Sequence, residues 1–166
     1  MSKKEFRKYI HSLKKDQLEE QLLDLYERFA DVKVYYDFAF NPREEKLIEE
    51  YKFRVQKEYF PPSGRKPKAR RSVAQRHLRH FIKLGMAPDL VADAMLFNLE
   101  TAQQFSALKA IRQESFYISM LKSYREARAF IASHNLEMQF RSRLDAIAEA
   151  AWKQEWFNRA AFSEEQ

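Results

Sequence analysis

Glycine occurs at only two of the 166 positions, Gly64 and Gly85, and proline at five. Hairpins and sandwiches reverse the chain every few residues, using Gly, Asn and Pro for backbone conformations that other residues resist. Two glycines cannot supply a fold rich in such turns. The chain is therefore restricted to long helices with few connections, and Pro42, Pro61, Pro62, Pro67 and Pro88 mark where the breaks fall.

Apolar spacing fills in the helices between those breaks. Phe6, Tyr9, Ile10 and Leu13 predict a short amphipathic helix set among Lys3, Lys4, Arg7, Lys8 and Lys14. Leu18, Leu22, Leu25, Phe29, Val32 and Tyr36 then recur at steps of three and four, which keeps one apolar stripe on one face for about five turns. Ser12 or Asp16 is the expected cap of that segment, and a kink is expected near Ala30 and Asp31. The stripe is shorter than three full heptads, so it reads as a helix within its own bundle rather than as a coiled-coil seam.

Asn41-Pro42 stops and restarts the chain, with Asn41 as cap, Pro42 in the first helical position and Glu44 at the capping-box position. The spacing predicts a helix over 42–59 with Leu47, Ile48, Tyr51, Val55 and Tyr59 inward. Its acidic residues crowd the N-terminal half and its basic residues the other half, as the helix dipole favours. Further helices are predicted over 68–84, closed by Gly85 as a left-handed cap, and from Pro88 to about Ser106. Two more are predicted over 114–133 and about 136–158, with a break at His134-Asn135, and fraying is expected from Ser163 to Gln166. The fold class is all-α: a single domain over residues 1–166, a multi-helix bundle or array of about seven helices, with a Pro/Gly/basic loop at about 61–70 between two helical halves.

Fourteen Phe, eight Tyr and two Trp are enough to build a large core without staples. Cysteine is absent, which removes disulfides, thiolate metal sites and cysteine nucleophiles. Charged residues make up 33% of the chain and no apolar run approaches the roughly 18 residues a membrane span needs. No apolar segment follows the charged start, so no secretory signal is read and the cytoplasm is the expected compartment.

Chemistry is sparse. The single glycine before Arg65-Lys66 is no phosphate-cradling loop, which needs several glycines for the backbone to approach a phosphate. None of His11, His77, His80 and His134 has a carboxylate three residues before it, as helical metal sites require. His77 and His80 lie three apart on one helix, yet no neighbouring acid completes a ligand set, and His77 reads as a part-buried structural residue with a hydrogen-bond partner. The adjacent carboxylates at 19/20, 44/45 and 49/50 point about 100° apart on a helix and read as solvated faces. Asn98 shares an apolar face and reads as a core amide bonded to a neighbouring helix. No catalytic, cofactor-binding or metal-binding residue is assigned, and no enzymatic activity is supported.

The one outward-pointing feature is the segment 65–83. Residues 61–86 hold eight Lys/Arg and no Asp/Glu, residues 1–60 are balanced at thirteen of each sign, and residues 87–166 hold nine against eleven, so the excess of eight in this segment is what makes the formal net charge +6. On a helical wheel Val73, Ala74, Leu78, Phe81, Ile82 and Leu84 form an apolar arc that includes His77, and Arg76, Arg79 and Lys83 cluster opposite. Arg65, Lys66, Lys68, Arg70 and Arg71 lead in from the loop. These eight residues are the candidate anion- or partner-binding set. Three readings of them stand: a solvated or internally paired face, phosphate contacts to nucleic acid, or an acidic protein or lipid surface.

The segments FNPREEKLIEEYKFRVQKEYF, KARRSVAQRHLRHFIKLG and PDLVADAMLFNLETAQQF together resemble a family of small uncharacterised all-helical bacterial proteins, a domain of unknown function. The resemblance covers most of residues 2–108. It implies a cytoplasmic bacterial protein and supplies no activity, ligand or site residue. The expected function is a non-enzymatic protein-interaction or scaffold module with a protein partner. The alternative is a nucleic-acid-associated protein that binds phosphates through 65–83.

Overall fold

The computed structural model describes residues 1–163; Ser163, where fraying is expected to begin, is the last residue of a short helix, and the rest of that expectation, 164–166, lies outside the described residues. All regular structure among the described residues is helical, in nine helices: α1 (Lys3–Ser12), α2 (Lys15–Arg28), α3 (Ala30–Phe40), α4 (Glu44–Tyr59), α5 (Arg71–Leu84), α6 (Pro88–Leu108), α7 (Glu114–Ser133), α8 (Glu137–Lys153) and α9 (Ala160–Ser163). The all-α class is as the glycine count requires. Nine helices replace about seven because the predicted stripe is divided into α2 and α3 and the short α9 forms beyond the predicted last helix. No helix among the described residues is long and apolar enough to cross a membrane.

The chain forms two compact units, residues 1–42 and residues 43–166. In the first, Ser2 caps α1 in a box with Glu5, each side chain accepting from the other's backbone N–H. Neither Ser12 nor Asp16 caps α2. Ser12 Oγ donates back to the Tyr9 carbonyl, and Gln17 Oε1 accepts from the Lys14 N–H that opens the helix. The long stripe of the sequence breaks at Phe29, whose extended backbone (φ −114°, ψ 111°) separates α2 from α3. Tyr26 Oη donates to Asp37 Oδ1 at 2.9 Å, although eleven residues of straight helix would hold the two about 16 Å apart. The expected kink is therefore a fold-back that lays α3 beside α2. No side chain of α1, α2 or α3 is fully buried.

The second unit is organised around α6, which packs against α4, α5, α7 and α8. Contacts with four helices bury most of it: Val91, Ala92, Ala94, Leu96, Leu99 and Ala102 are all buried, while Asp93 and Glu100 stay half-buried on its remaining side. The small alanines let α4 approach: Tyr51, fully buried, donates its hydroxyl to the Ala94 carbonyl at 2.8 Å and sets its ring against Phe81 and Phe97. Ile48, Val55 and Tyr59 are buried as the spacing of α4 predicts, and Leu47 is half-buried. Asn41 does not cap α4. It ends α3, and Glu44 Oε1 accepts from the Ala87 N–H at 2.8 Å, a tertiary bond that displaces the local capping box.

Charges on α4, α6 and α8 meet in one cluster. Arg143 donates to both oxygens of Glu100 at 2.7 and 2.9 Å and to Asp93 Oδ1 at 2.7 Å, and Lys52 Nζ lies 2.8 Å from Asp93 Oδ2. Burial pushes the Asp93 carboxyl up, but bonds from Lys52 and Arg143 outweigh it and hold the group below the ordinary range.

Three helices end by the same backbone device. Left-handed Gly85 (φ 72°), Asn135 (φ 57°) and Glu155 (φ 53°) let the next N–H return to a carbonyl five residues earlier: Met86 to Phe81, Leu136 to Ile131 and Trp156 to Ala151. The first two are the predicted breaks. The third stops α8 short of the predicted 158 and buries Trp156 in the loop before α9.

Candidate functional site

The basic segment begins in a loop anchored by one residue. Lys68 N–H and Ala69 N–H both donate to the Glu58 carbonyl at 3.0 Å, and Arg70 donates through Nε and Nη2 to the two oxygens of the Glu58 carboxylate at 2.9 and 2.8 Å. The hydrogen bonds from Arg70 lower the Glu58 pKa. Ala69 sits at φ 47°, a left-handed conformation that costs a residue with a Cβ about 1 kcal/mol or more, which the bonds to Glu58 offset. Helix α5 consequently starts at Arg71, three residues after the predicted start at Lys68.

Of the eight predicted site residues, two are paired within the fold. Arg70 is held by Glu58 but stays exposed. Arg71 is half-buried, donating Nε to Ser123 Oγ at 2.8 Å and Nη2 to Glu126 Oε2 at 2.7 Å, where Gln75 also donates. The other six, Arg65, Lys66, Lys68, Arg76, Arg79 and Lys83, are exposed, and none has a carboxylate within ion-pair distance among the described residues. Arg79 Nε reaches only its own helix, at the Gln75 carbonyl. The acidic run at 44–50 does not cover the stripe.

On the opposite side of α5 from Arg71, a groove of about 520 Å³ runs between α4 and α5. Arg54, Lys57, Arg70 and Arg76 line it, against Glu50 and the already engaged Glu58. Arg54 and Lys57 are missing from the sequence reading because α4 looks neutral in one dimension. Only the packing of α4 beside α5 separates its two cations from its acidic first turn.

His77 lies in this groove, half-buried, with its ring edge-on to Tyr51 and tilted against Phe81. It makes no side-chain hydrogen bond, so the expected structural partner is absent among the described residues. Burial lowers its pKa from the ordinary 6.5, and Arg54, His80 and Arg76 lower it further, with Glu50 opposing. The fold thus holds neutral imidazole where the unfolded chain would take up a proton. The resulting stability is complete above about pH 6.5 and declines as pH falls through the lowered folded value. Urea midpoints between pH 7.5 and 5.5 should fall for the parent and change less for His77→Gln. An unchanged slope in the variant would assign the loss to another group.

Asn98 is 3% exposed and makes no side-chain hydrogen bond among the described residues, contrary to the satisfied core amide expected. It opens on a separate, mainly apolar groove between α5, α6 and α7, so it and His77 do not converge. Among the described residues no three His, Asp or Glu side chains gather as metal ligands would.

Comparison with known proteins adds a family and no activity. Residues 1–165 match the model of a family described as a family of unknown function (DUF6155). This agrees with the resemblance to a domain of unknown function and extends it over the C-terminal helices. No curated protein and no solved structure matches the chain.

Proposed function

The chain belongs to DUF6155, a family of unknown function, and from the placement of its cations we propose that it is a nucleic-acid-associated protein that grips the phosphate backbone with α5 and the loop before it. The observation that carries this reading is the open stripe. Arg76, Arg79 and Lys83 project from one face of α5 without a carboxylate partner, and Arg54 and Lys57 continue the positive surface onto α4. Internal pairing, the chief competing account, involves only Arg70 and Arg71.

Cations that contact phosphate give affinity without sequence preference. Six open cations limit the slope of log K against log salt to about −5 if all contact phosphate, and the three of α5 alone give about −2.7. Fluorescence-anisotropy titrations of the full chain with mixed-sequence duplex DNA and single-stranded RNA, between 50 and 200 mM salt, test the proposal. The expected slope lies between about −2.7 and −5 on the duplex and between about −2 and −4 on the single strand, and does not vary with sequence. A flat salt dependence, or no binding to either polymer at the lowest salt, would remove the idea.

A protein-interaction module is the second reading, and the first unit favours it. Leu22, Leu23, Phe29 and Phe40 are among its exposed large apolar side chains, with Phe40 79% exposed. Patches of this kind mark contact surfaces more often than solvated ones.

A further inference from the structure

A second cavity lies on the other side of the α5 N-terminus, between the 67–71 segment and the connection from α6 to α7, with a volume of about 430 Å³. Lys68, Arg71, Lys109 and Arg112 line it, and no acidic residue does. Arg71 has its carboxylate in Glu126, but Lys68, Lys109 and Arg112 have none within ion-pair distance among the described residues. Four cations around one concavity repel one another, and the low-dielectric walls strengthen that repulsion unless an anion enters. The volume is in the range of small-molecule sites, which span roughly 300–1,000 Å³.

Two further features give the site direction. Helix α7 starts at the cavity edge with Gln113 as an N-cap that makes no side-chain bond, and Ser115 of its first turn lines the space. Unsatisfied first-turn N–H groups add to the positive field there. The deeper wall is apolar, formed by Phe105, Phe116 and Met120. Phe105 is fixed by the rings of Tyr59 and Phe60 at 5.7 and 5.9 Å, and Phe116 by Trp156 at 6.1 Å. The cationic mouth is fixed as well, since the bonds of the 68–70 backbone and of Arg70 to Glu58 set the position of Lys68. The side chains of Lys68, Lys109 and Arg112 are exposed, so three free cations face an aromatic wall, which suits a phosphate joined to a flat ring.

We propose that this cavity is a binding site for a phosphorylated nucleoside, with the phosphate held by Lys68, Lys109 and Arg112 and the base against Phe105 and Phe116. Two sources share that chemistry: a free nucleotide and the 5′-phosphorylated end of a strand. Arg76, Arg79 and Lys83 of the α5 stripe do not line this cavity, and Lys68 is the one residue it shares with the proposed backbone-binding set.

Isothermal titration calorimetry on the full chain tests the proposal with ADP, adenosine, inorganic phosphate, and a short oligonucleotide with and without a 5′-phosphate. ADP or the 5′-phosphorylated oligonucleotide should bind, adenosine should not, and whichever of the two binds identifies the source. The double change Lys109→Gln with Arg112→Gln should weaken binding about a hundredfold, since each charge-assisted contact is worth about tenfold. Ser115→Glu supplies an independent variant. A carboxylate in the first turn of α7 suits the helix dipole, so the fold is retained, while the added charge repels the phosphate. Glutamate at positions 76, 79 and 83 should leave ADP binding unchanged, which separates this site from the backbone-binding stripe. No binding of any phosphorylated probe at millimolar concentration overturns the site, as does full binding by both cavity variants.

Discussion

Changing Arg76, Arg79 and Lys83 together to glutamate is expected to abolish salt-sensitive retention on DNA and RNA while leaving the helical circular dichroism spectrum intact. The three side chains are exposed and enter no ion pair among the described residues, so their charge is not part of what holds α5 in place. The apolar side of the helix, with Ala74, Leu78, Phe81 and Leu84 buried, is untouched. If each cation makes one phosphate contact worth about tenfold, neutralisation alone costs about a thousandfold, and reversal adds repulsion. The slope against salt should lose about 2.7. The same positions changed to glutamine provide the intermediate case. If the glutamate variant binds as the parent does, the stripe is a solvated face and nothing more. If it unfolds instead, the cations were supporting the fold and the nucleic-acid reading fails.

The largest expected loss of stability comes from Tyr51→Ala. Tyr51 is fully buried among Phe81, Phe97 and His77, with its hydroxyl on the Ala94 carbonyl. Its truncation removes an aromatic ring at the meeting of α4, α5 and α6, where close-packed neighbours can close the void only in part. The expected cost is about 3–5 kcal/mol, against a total of about 5–15 kcal/mol for a domain. Tyr51→Phe keeps the ring and removes only the hydrogen bond, for about 1 kcal/mol. Urea unfolding followed by tryptophan fluorescence reads both, because Trp156 is buried in the same unit. A Tyr51→Ala variant within 1 kcal/mol of the parent would mean that α4 is not fixed through this residue. The same substitution should disturb the α4/α5 groove, since His77 rests on the Tyr51 ring.

The helical class and most of the second unit were legible because they depend on local rules. Periodicity placed Ile48, Tyr51, Val55 and Tyr59 inward on α4, and Gly85 and Asn135 ended helices where a left-handed residue was expected. Local rules failed where a distant partner intervened. Glu44 left its capping box for the Ala87 N–H, and Lys68 and Ala69 left α5 for the Glu58 carbonyl. Phe29, an ordinary member of an apolar stripe, carries no residue-type signal for the extended backbone that divides α2 from α3.

The candidate site was half legible for a related reason. Counting charge along the chain found 65–83, where eight cations fall with no acid among them. It could not find Arg54 and Lys57, masked by acids one or two turns away, or Lys109 and Arg112, which reach Lys68 only through the packing of α6 and α7. Nor could it tell that Arg70 and Arg71 have partners at Glu58, Ser123 and Glu126.

The first unit has a thermodynamic consequence of its own. Helices of 10 to 14 residues such as α1, α2 and α3 are marginal in water when isolated, and theirs hold no fully buried side chain to add to local propensity. Opening this unit exposes little new apolar surface, so it contributes little to the heat-capacity change of unfolding. The two units are therefore expected to unfold in separate transitions, and a single unfolding free energy then does not describe both. The cost assigned to Tyr51 belongs to the cooperative transition of residues 43–166 alone.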